Sequence, residues 1–168
     1  MDAKLFALYN TMLKFFSGDP RRCQHWVKVH SFARQIALGE GMEEHMLFVL
    51  EATAMLHDCG IKPGELKYGV DHAHGHVQEV EGPPEAEKML KALDFAPADI
   101  ERICYLIGHH HTYTNIDGLD YQILVEADFL VNMYEGNSSK ETIANVMKNI
   151  FRTKTGLEIC KDMFGIDE

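Results

Sequence analysis

The chain has 168 residues, of which 46% are hydrophobic and 25% charged, a composition typical of a folded globular protein. Its formal net charge of −10 repels phosphate polymers and anionic membranes, which argues against a nucleic acid polymer or a membrane as a partner. The four cysteines are widely spaced and form no C-x-x-C pair, which argues against a disulfide framework and favours the cytoplasm (Cys23, Cys59, Cys104, Cys160).

Three helices are predicted in the first third of the chain. Apolar residues recur at three- and four-residue steps between Leu5 and Phe16, and Gly18 to Pro20 ends that segment. A second helix is predicted from about Arg22 to Leu38. The third, from about Met42 to Asp58, is apolar nearly all round, so we expect it in the middle of the core.

The rest of the chain predicts further helices and no strand. Residues 60–82 show no sustained period and are expected to form a long loop, in which His72, His74 and His76 are solvated. Helices are predicted to start at Pro83-Pro84 and at Pro97, to run from about Tyr121 to Tyr134, and to follow a capping box of Ser138 and Glu141. One or two helical turns are expected after that. The sequence therefore predicts an all-α, single-domain helical bundle over residues 1–168.

Several polar residues fall on the apolar stripes of these helices. A helix advances about 100° per residue, so His25 lies in line with Val29 and Ile36, whereas His30 lies about 140° away from His25 and should face solvent. Asp58 ends the most buried helix, with His57 beside it.

Two later residues fall on apolar stripes in the same way. Asp128 lies in line with Leu124 and Val131, and His110 with Ile107, while the neighbours of His110, His109 and His111, are turned off that line. Each of these residues has an ordinary structural interpretation, such as a hydrogen-bonded core histidine or a helix cap. Together, inward carboxylates and imidazoles on separate helices suit a divalent metal ion, because an unpaired buried carboxylate is costly.

In their order along the chain, these motifs resemble the HD-domain superfamily, which is named for a His-Asp doublet. The resemblance covers about residues 21–134. It rests on His25-Trp-Val-Lys-Val29, Met55-Leu56-His57-Asp58-Cys59-Gly60, Ile107-Gly108-His109-His110-His111 and Glu126-Ala127-Asp128-Phe129-Leu130.

The resemblance implies a helical bundle around a divalent ion (Mn, Mg, Co, Ni or Fe). Its ligands would be His25, His57, Asp58 and Asp128. Members of the superfamily are mostly phosphomonoesterases, nucleotidases or phosphodiesterases, and a subset carries a second metal. The additional candidate ligands here are Glu81, His109 and His110, although Glu81 stands near a position where those enzymes usually have histidine.

The expected activity is hydrolysis of a small phosphorylated substrate by metal-activated water. Asp58 would orient the water, His110 or Glu81 would act as general acid or second-metal ligand, and Lys62 would hold the phosphate. Arg21 and Arg22 are weaker candidates for the last role. Two alternatives stay open, a di-iron oxygenase on the same fold and a non-catalytic nucleotide-binding regulatory module. The oligomeric state is not predicted.

Overall fold

The computed structural model describes residues 2–166, which fold into α-helices with no strand in that part of the chain. In chain order the helices are α1 (Ala3–Phe15), α2 (Pro20–Gly39), α3 (Glu44–Leu56), α4 (Ile61–Tyr68), α5 (His76–Ala92), α6 (Pro97–Ile107), α7 (Leu119–Glu135), α8 (Lys140–Ile150) and α9 (Lys154–Phe164). A 3₁₀ turn, Val70–His72, follows α4. The all-α class predicted from the sequence is confirmed. Among the described helices, none has both the length and the apolar character that a membrane crossing requires.

Helix α3 is the centre of the bundle, as its apolar sequence predicted. Every residue from Val49 to Leu56 is buried. Leu47, Leu50 and Ala54 face a core shared with α2 and α7, whereas Val49, Ala52 and Met55 face a second core built with α1, α5 and α6. Because α3 is buried on two opposite sides, it exposes no polar face to solvent, which explains why its residues are apolar nearly all round.

Helix α5 begins earlier than the sequence predicted. The prediction of a long loop over residues 60–82 and of a helix start at Pro83 is wrong, because α4 occupies part of that segment and α5 begins at His76 with Pro83 and Pro84 in its interior. A proline inside a helix costs about 3 kcal/mol through a lost hydrogen bond and a clash. Packing of α5 against α4 and α6 offsets that cost.

Two glycines let α5 pass close to the turn that follows α3. A Cβ atom added at Gly60 would lie 2.4 Å from the backbone oxygen of Gln78, and one added at Gly82 would lie 2.6 Å from Cγ2 of Ile107. No larger residue fits at either crossing without moving backbone or core. The close approach brings the first turns of α5 next to the His57-Asp58 doublet.

The C-terminal helices also differ from the prediction. Helix α8 is capped by Ser139, whose hydroxyl accepts a hydrogen bond from the Thr142 amide, so the predicted capping box of Ser138 and Glu141 is wrong by one residue. Helix α9 is longer than the one or two turns expected. Its N-cap Thr153 is held by the buried carboxylate of Glu126 on α7, and this contact ties the end of the chain to the core.

Candidate metal centre

Four side chains from three parts of the bundle converge at one point. His25 comes from α2, His57 and Asp58 follow the end of α3, and Asp128 comes from α7. The Nε2 atom of His25 lies 3.3 Å from Nε2 of His57, 3.4 Å from Oδ2 of Asp58 and 3.2 Å from Oδ1 of Asp128. The Nε2 atom of His57 lies 3.5 and 3.6 Å from the same two oxygens. The sequence-predicted ligand set therefore meets in space, and metal binding by it stays a prediction.

The Nδ1 atoms of His57 and His110 each have a hydrogen-bond acceptor on the side away from this point. Nδ1 of His57 lies 2.8 Å from the Ala54 carbonyl oxygen, and Nδ1 of His110 lies 2.7 Å from that of Ile107. A carbonyl oxygen only accepts, so each Nδ1 donates and carries the ring proton. Once Nε2 has lost its proton, its lone pair faces the interior, which is the form in which histidine binds a metal.

The electrostatics of the cluster favour a cation at its centre. Burial alone would raise the pKa of Asp128, but the neighbouring imidazoles of His25 and His57 hold it well below its usual range. Burial likewise opposes a charge on His57, yet the negative charges of Asp58 and Asp128 raise the pKa of His57 to about 9. Two ionised carboxylates thus face two imidazole nitrogens, and either protons or a divalent ion must balance them.

Two buried polar atoms in the described part of the chain lack a hydrogen-bond partner at this site. They are Nε2 of His110, in a side chain only 1% exposed, and Oδ1 of Asp128. A buried polar atom without a partner is costly, and both of these are atoms that commonly bind divalent ions. The donor set therefore fits a metal with nitrogen and oxygen ligands.

A second group of potential ligands shares Asp58 with the first. The ligand atoms of Asp58, His110 and His111 lie within 4.8 Å of one another, as do those of His25, His57 and Asp58. The prediction that His111 points away is wrong. Helix α6 ends at Ile107, so His111 lies in a turn where helical spacing does not apply. Burial and the neighbouring His110 lower the pKa of His111 to about 4, so its ring is neutral.

Two of the additional candidates lie elsewhere in the structure. Glu81 lies on the side of α5 that faces α4, where its carboxylate accepts from Lys67 at 2.8 Å and from Tyr68 at 3.2 Å. The prediction that Glu81 approaches the site is therefore wrong. The resemblance to the HD-domain superfamily suggested Glu81, but it is Gln78 on α5 that reaches His111, at 2.8 Å.

His109 and Lys62 are also directed away from the cluster. The ring of His109 stacks on Tyr105, and its Nδ1 donates to the carbonyl of that residue at 2.7 Å. The ammonium of Lys62 donates to the Phe15 carbonyl at 2.7 Å and lies over the ring of Phe15. Neither residue is placed to bind a metal ion or a phosphate at this site, contrary to the sequence prediction.

His30 is buried, although the sequence predicted that it faces solvent. Its Nε2 lies 2.9 Å from Oε1 of Glu51, whose other oxygen accepts from Arg34 at 2.7 Å. Helix α2 packs against both α3 and α7, so a wider sector of its surface is buried than a single stripe. The step of about 100° per residue holds in α2, but the buried face of this helix is wider than the single apolar stripe used for the prediction.

A cavity of about 570 Å³ opens over the cluster. Its walls are mostly polar and include Arg21, His74, Gln78, Asn132 and Glu135. The exposed guanidinium of Arg21 has no ion-pair partner in residues 2–166. Arg22 also lines the cavity but is already paired, with Glu65 and Asp19. Of the three histidines in the segment predicted to be a solvated loop, His74 lines the cavity, whereas His72 and His76 do not.

Comparisons with known proteins agree with this arrangement. A sequence model described as HD domain matches residues 22–149, a range that contains the four converging residues. No curated protein matches the chain. The crystal structure of a predicted HD superfamily hydrolase from an uncultured Thermotogales bacterium is similar to this structure, with a TM-score of 0.67 and 26% sequence identity. The similarity covers 95% of this chain and 84% of the other.

Proposed function

The chain belongs to the HD domain family, and from that premise we propose that it is a metal-dependent hydrolase of a small phosphorylated substrate. The observation that carries the proposal is the convergence of His25, His57, Asp58 and Asp128 at the floor of a polar cavity. These four residues would hold a divalent ion, Mn, Mg, Co, Ni or Fe. The relative described as a predicted HD superfamily hydrolase supports a hydrolytic role.

The side chains around the ion site have distinct expected tasks. When bound, a divalent ion would polarise a phosphoryl oxygen and lower the pKa of a water molecule. Asp58 directs Oδ2 toward His25 and His57 and Oδ1 toward His110, so its carboxylate is placed to orient an attacking water by accepting a hydrogen bond from it. His110 is placed to move a proton or to bind a second ion.

The cavity walls favour a small polar ester over a nucleotide. Among the described lining residues Ile61 is the one apolar aliphatic side chain, and the aromatic rings are imidazoles, with no Phe, Tyr or Trp face on which a base could stack. Arg21 and His74 offer cationic or hydrogen-bonding groups for a phosphate. We therefore propose a phosphomonoester of a small, hydroxyl-rich molecule as the substrate class, with Arg21 holding its phosphate.

Metal analysis followed by a phosphatase panel tests this function. The protein is purified without chelator or histidine tag, and its metal content is measured. Sugar phosphates, glycerol phosphate, nucleotides and phosphodiesters are then assayed with each divalent ion. We expect turnover of a small phosphomonoester, lost in Asp58→Asn and retained in Asp99→Asn, because Asp99 pairs with His45 outside the cavity.

Other outcomes of the panel would favour the alternatives. Failure to turn over any phosphate ester with any ion contradicts the proposal. Bound iron with oxygen uptake would favour an oxygenase, and tight nucleotide binding without turnover would favour a regulatory module. Retained activity in Asp58→Asn would contradict the assignment of the site.

The number of ions is tested at His110, with its neighbour His109 as a matched control. If two ions bind, His110→Ala should lower the stoichiometry by about one ion. If one binds, the same variant should keep its metal and lose about 10²- to 10⁴-fold in turnover, as expected for a proton donor. His109→Ala should change neither quantity, since that ring stacks on Tyr105. Full metal and full activity in His110→Ala would contradict both versions.

A further inference from the structure

Three histidines around the ion site, His25, His57 and His110, differ in what holds their Nδ1 atoms. For His57 and His110 the acceptor is a backbone carbonyl three residues earlier in the chain, which the local turn itself supplies. For His25 the acceptor is a side chain on another helix. Nδ1 of His25 lies 2.9 Å from Oε2 of Glu135, which is 110 residues away and ends α7. The orientation of His25 therefore depends on a contact that its own helix does not provide.

The carboxylate of Glu135 is itself held in place by a cation. Its second oxygen, Oε1, accepts from the ammonium of Lys28 at 2.7 Å, and that ammonium lies over the ring of Tyr134. Lys28 follows His25 on α2, and both side chains contact the Glu135 carboxylate from α7. The Glu135 side chain is 18% exposed, at the edge of the cavity.

This arrangement fixes the ring in the form that binds a metal. A carboxylate only accepts, so His25 donates from Nδ1, and Nε2, directed at Asp58, Asp128 and His57, is the nitrogen left to bind an ion once its proton is lost. Without Glu135 the ring could carry its proton on Nε2 or rotate, and either change removes a ligand atom. Carboxylates that orient a metal-binding histidine commonly contribute 10- to 100-fold to metal affinity.

We propose that Glu135 and Lys28 are positioning residues, which hold the His25 ring in the tautomer and orientation required for the ion. The inference rests on the proposed metal site. Helix α7 then contributes twice, once through the ligand Asp128 and once through the residue that orients a ligand on α2. Binding of the ion would be sensitive to any displacement of the end of α7.

A surface ion pair of the same kind provides a matched control. Lys67 and Glu81 are joined at 2.8 Å and Glu81 is 16% exposed, against 2.7 Å between Lys28 and Glu135 and 18% for Glu135. In the described residues the Glu81 carboxylate accepts from Lys67 and Tyr68, and neither of these belongs to the metal cluster. If Glu135 contributed only general stability, replacing either glutamate should have the same effect.

The test measures Mn²⁺ affinity by calorimetry on metal-stripped protein and the His25 tautomer by long-range ¹H–¹⁵N NMR without metal at alkaline pH, where the ring has lost its second proton. We expect Glu135→Ala to weaken Mn²⁺ binding about 10- to 100-fold and to lose the single Nδ1-protonated form. Glu135→Gln, whose amide oxygen can still accept, should restore most of the affinity. Lys28→Met should weaken binding by less than Glu135→Ala, and Glu81→Ala should bind as the wild type does.

Three results would overturn the inference. One is wild-type affinity and an unchanged tautomer in Glu135→Ala, and another is an equal loss of affinity in Glu135→Ala and Glu81→Ala. A wild-type protein that binds no divalent ion overturns both this inference and the proposed function. If the wild type binds Mn²⁺ but hydrolyses no phosphate ester, the proposed function fails alone, because neither readout here uses activity.

Discussion

Helix α2 carries two buried histidines in networks of the same design. His25 is 8% exposed and His30 is 7% exposed, and each ring contacts a carboxylate from another helix at 2.9 Å. Each carboxylate in turn accepts from a cation of α2 at 2.7 Å. The two networks are His25–Glu135–Lys28 and His30–Glu51–Arg34.

The difference between the two lies in the second ring nitrogen. His25 uses Nδ1 for its carboxylate and turns Nε2 toward His57, Asp58 and Asp128. His30 uses Nε2 for Glu51 and lies outside the groups of described residues whose ligand atoms converge. A buried, ion-paired histidine is therefore not by itself a sign of a metal site, and the informative feature is what its other nitrogen faces.

The largest expected contrast between the two networks is in metal affinity. His25→Ala removes a ligand, so we expect Mn²⁺ affinity to fall by more than the roughly 100-fold that an orienting residue can contribute. His30→Ala should leave the affinity within about twofold of the wild type, since it leaves the ligand set intact. Titration calorimetry measures both. Equal losses in the two variants would mean that the networks are not functionally distinct.

Chelation should separate the same variants by stability. An ion that binds only the folded state adds about 2.7 kcal/mol at a hundredfold excess over its dissociation constant. For a chain of this length that corresponds to about 5–10 °C in melting temperature. We expect chelator to lower the melting temperature of the wild type and of His30→Ala, with Mn²⁺ restoring it. In His25→Ala, chelator should have little effect, and a full shift there would contradict the ligand role of His25.

The His30 network should affect folding stability rather than metal binding. His30→Ala leaves Glu51 buried with Arg34 as its remaining partner, so the free energy of unfolding of metal-free protein should fall by about 1–3 kcal/mol. Urea denaturation measures this loss. His30→Gln keeps a donor near Glu51 and should recover part of it. A stability unchanged in His30→Ala would show that the buried contact is energetically neutral.

The smallest expected effect is a difference in acid sensitivity. Burial opposes the charge of Glu51, but the hydrogen bond from His30 and the charge of Arg34 hold its pKa below the usual value. A carboxylate with a lowered folded-state pKa stabilises the fold above its unfolded pKa, and this contribution is lost as pH falls through the folded value. From about pH 7 to about pH 3, the wild type should lose more unfolding free energy than Glu51→Gln. Parallel pH curves would exclude this contribution.

Where helical spacing holds, the sequence was sufficient. Helix α6 starts at Pro97 as predicted, and α3 is buried on both sides as its composition indicates. His25 and Asp128 each point inward from a regular helix, so their phases could be read from neighbouring apolar residues. The doublet His57-Asp58 could be placed because it directly follows the most buried helix.

Where helical spacing does not apply, the prediction of the site residues was wrong. His111 lies in a turn beyond α6, and its direction is set by Gln78 on α5 rather than by its own helix. Glu81 was suggested by its place in the resemblance, and the predicted helix start at Pro83 left out the first turns of α5, from which Gln78 reaches the site. The contact between His25 and Glu135 joins α2 to α7, and no local pattern in either helix signals it.

The long separation of His25 and Glu135 also bears on the order in which the protein is made and folds. Their hydrogen bond closes a loop of 110 residues, so it cannot form until most of the chain has left the ribosome and α7 has docked. An ion bound by the completed cluster thus stabilises contacts that close late. Interactions absent from the folding transition state mainly slow unfolding and leave the folding rate nearly unchanged. We therefore expect the bound ion to slow unfolding of the folded bundle more than it changes the rate of folding.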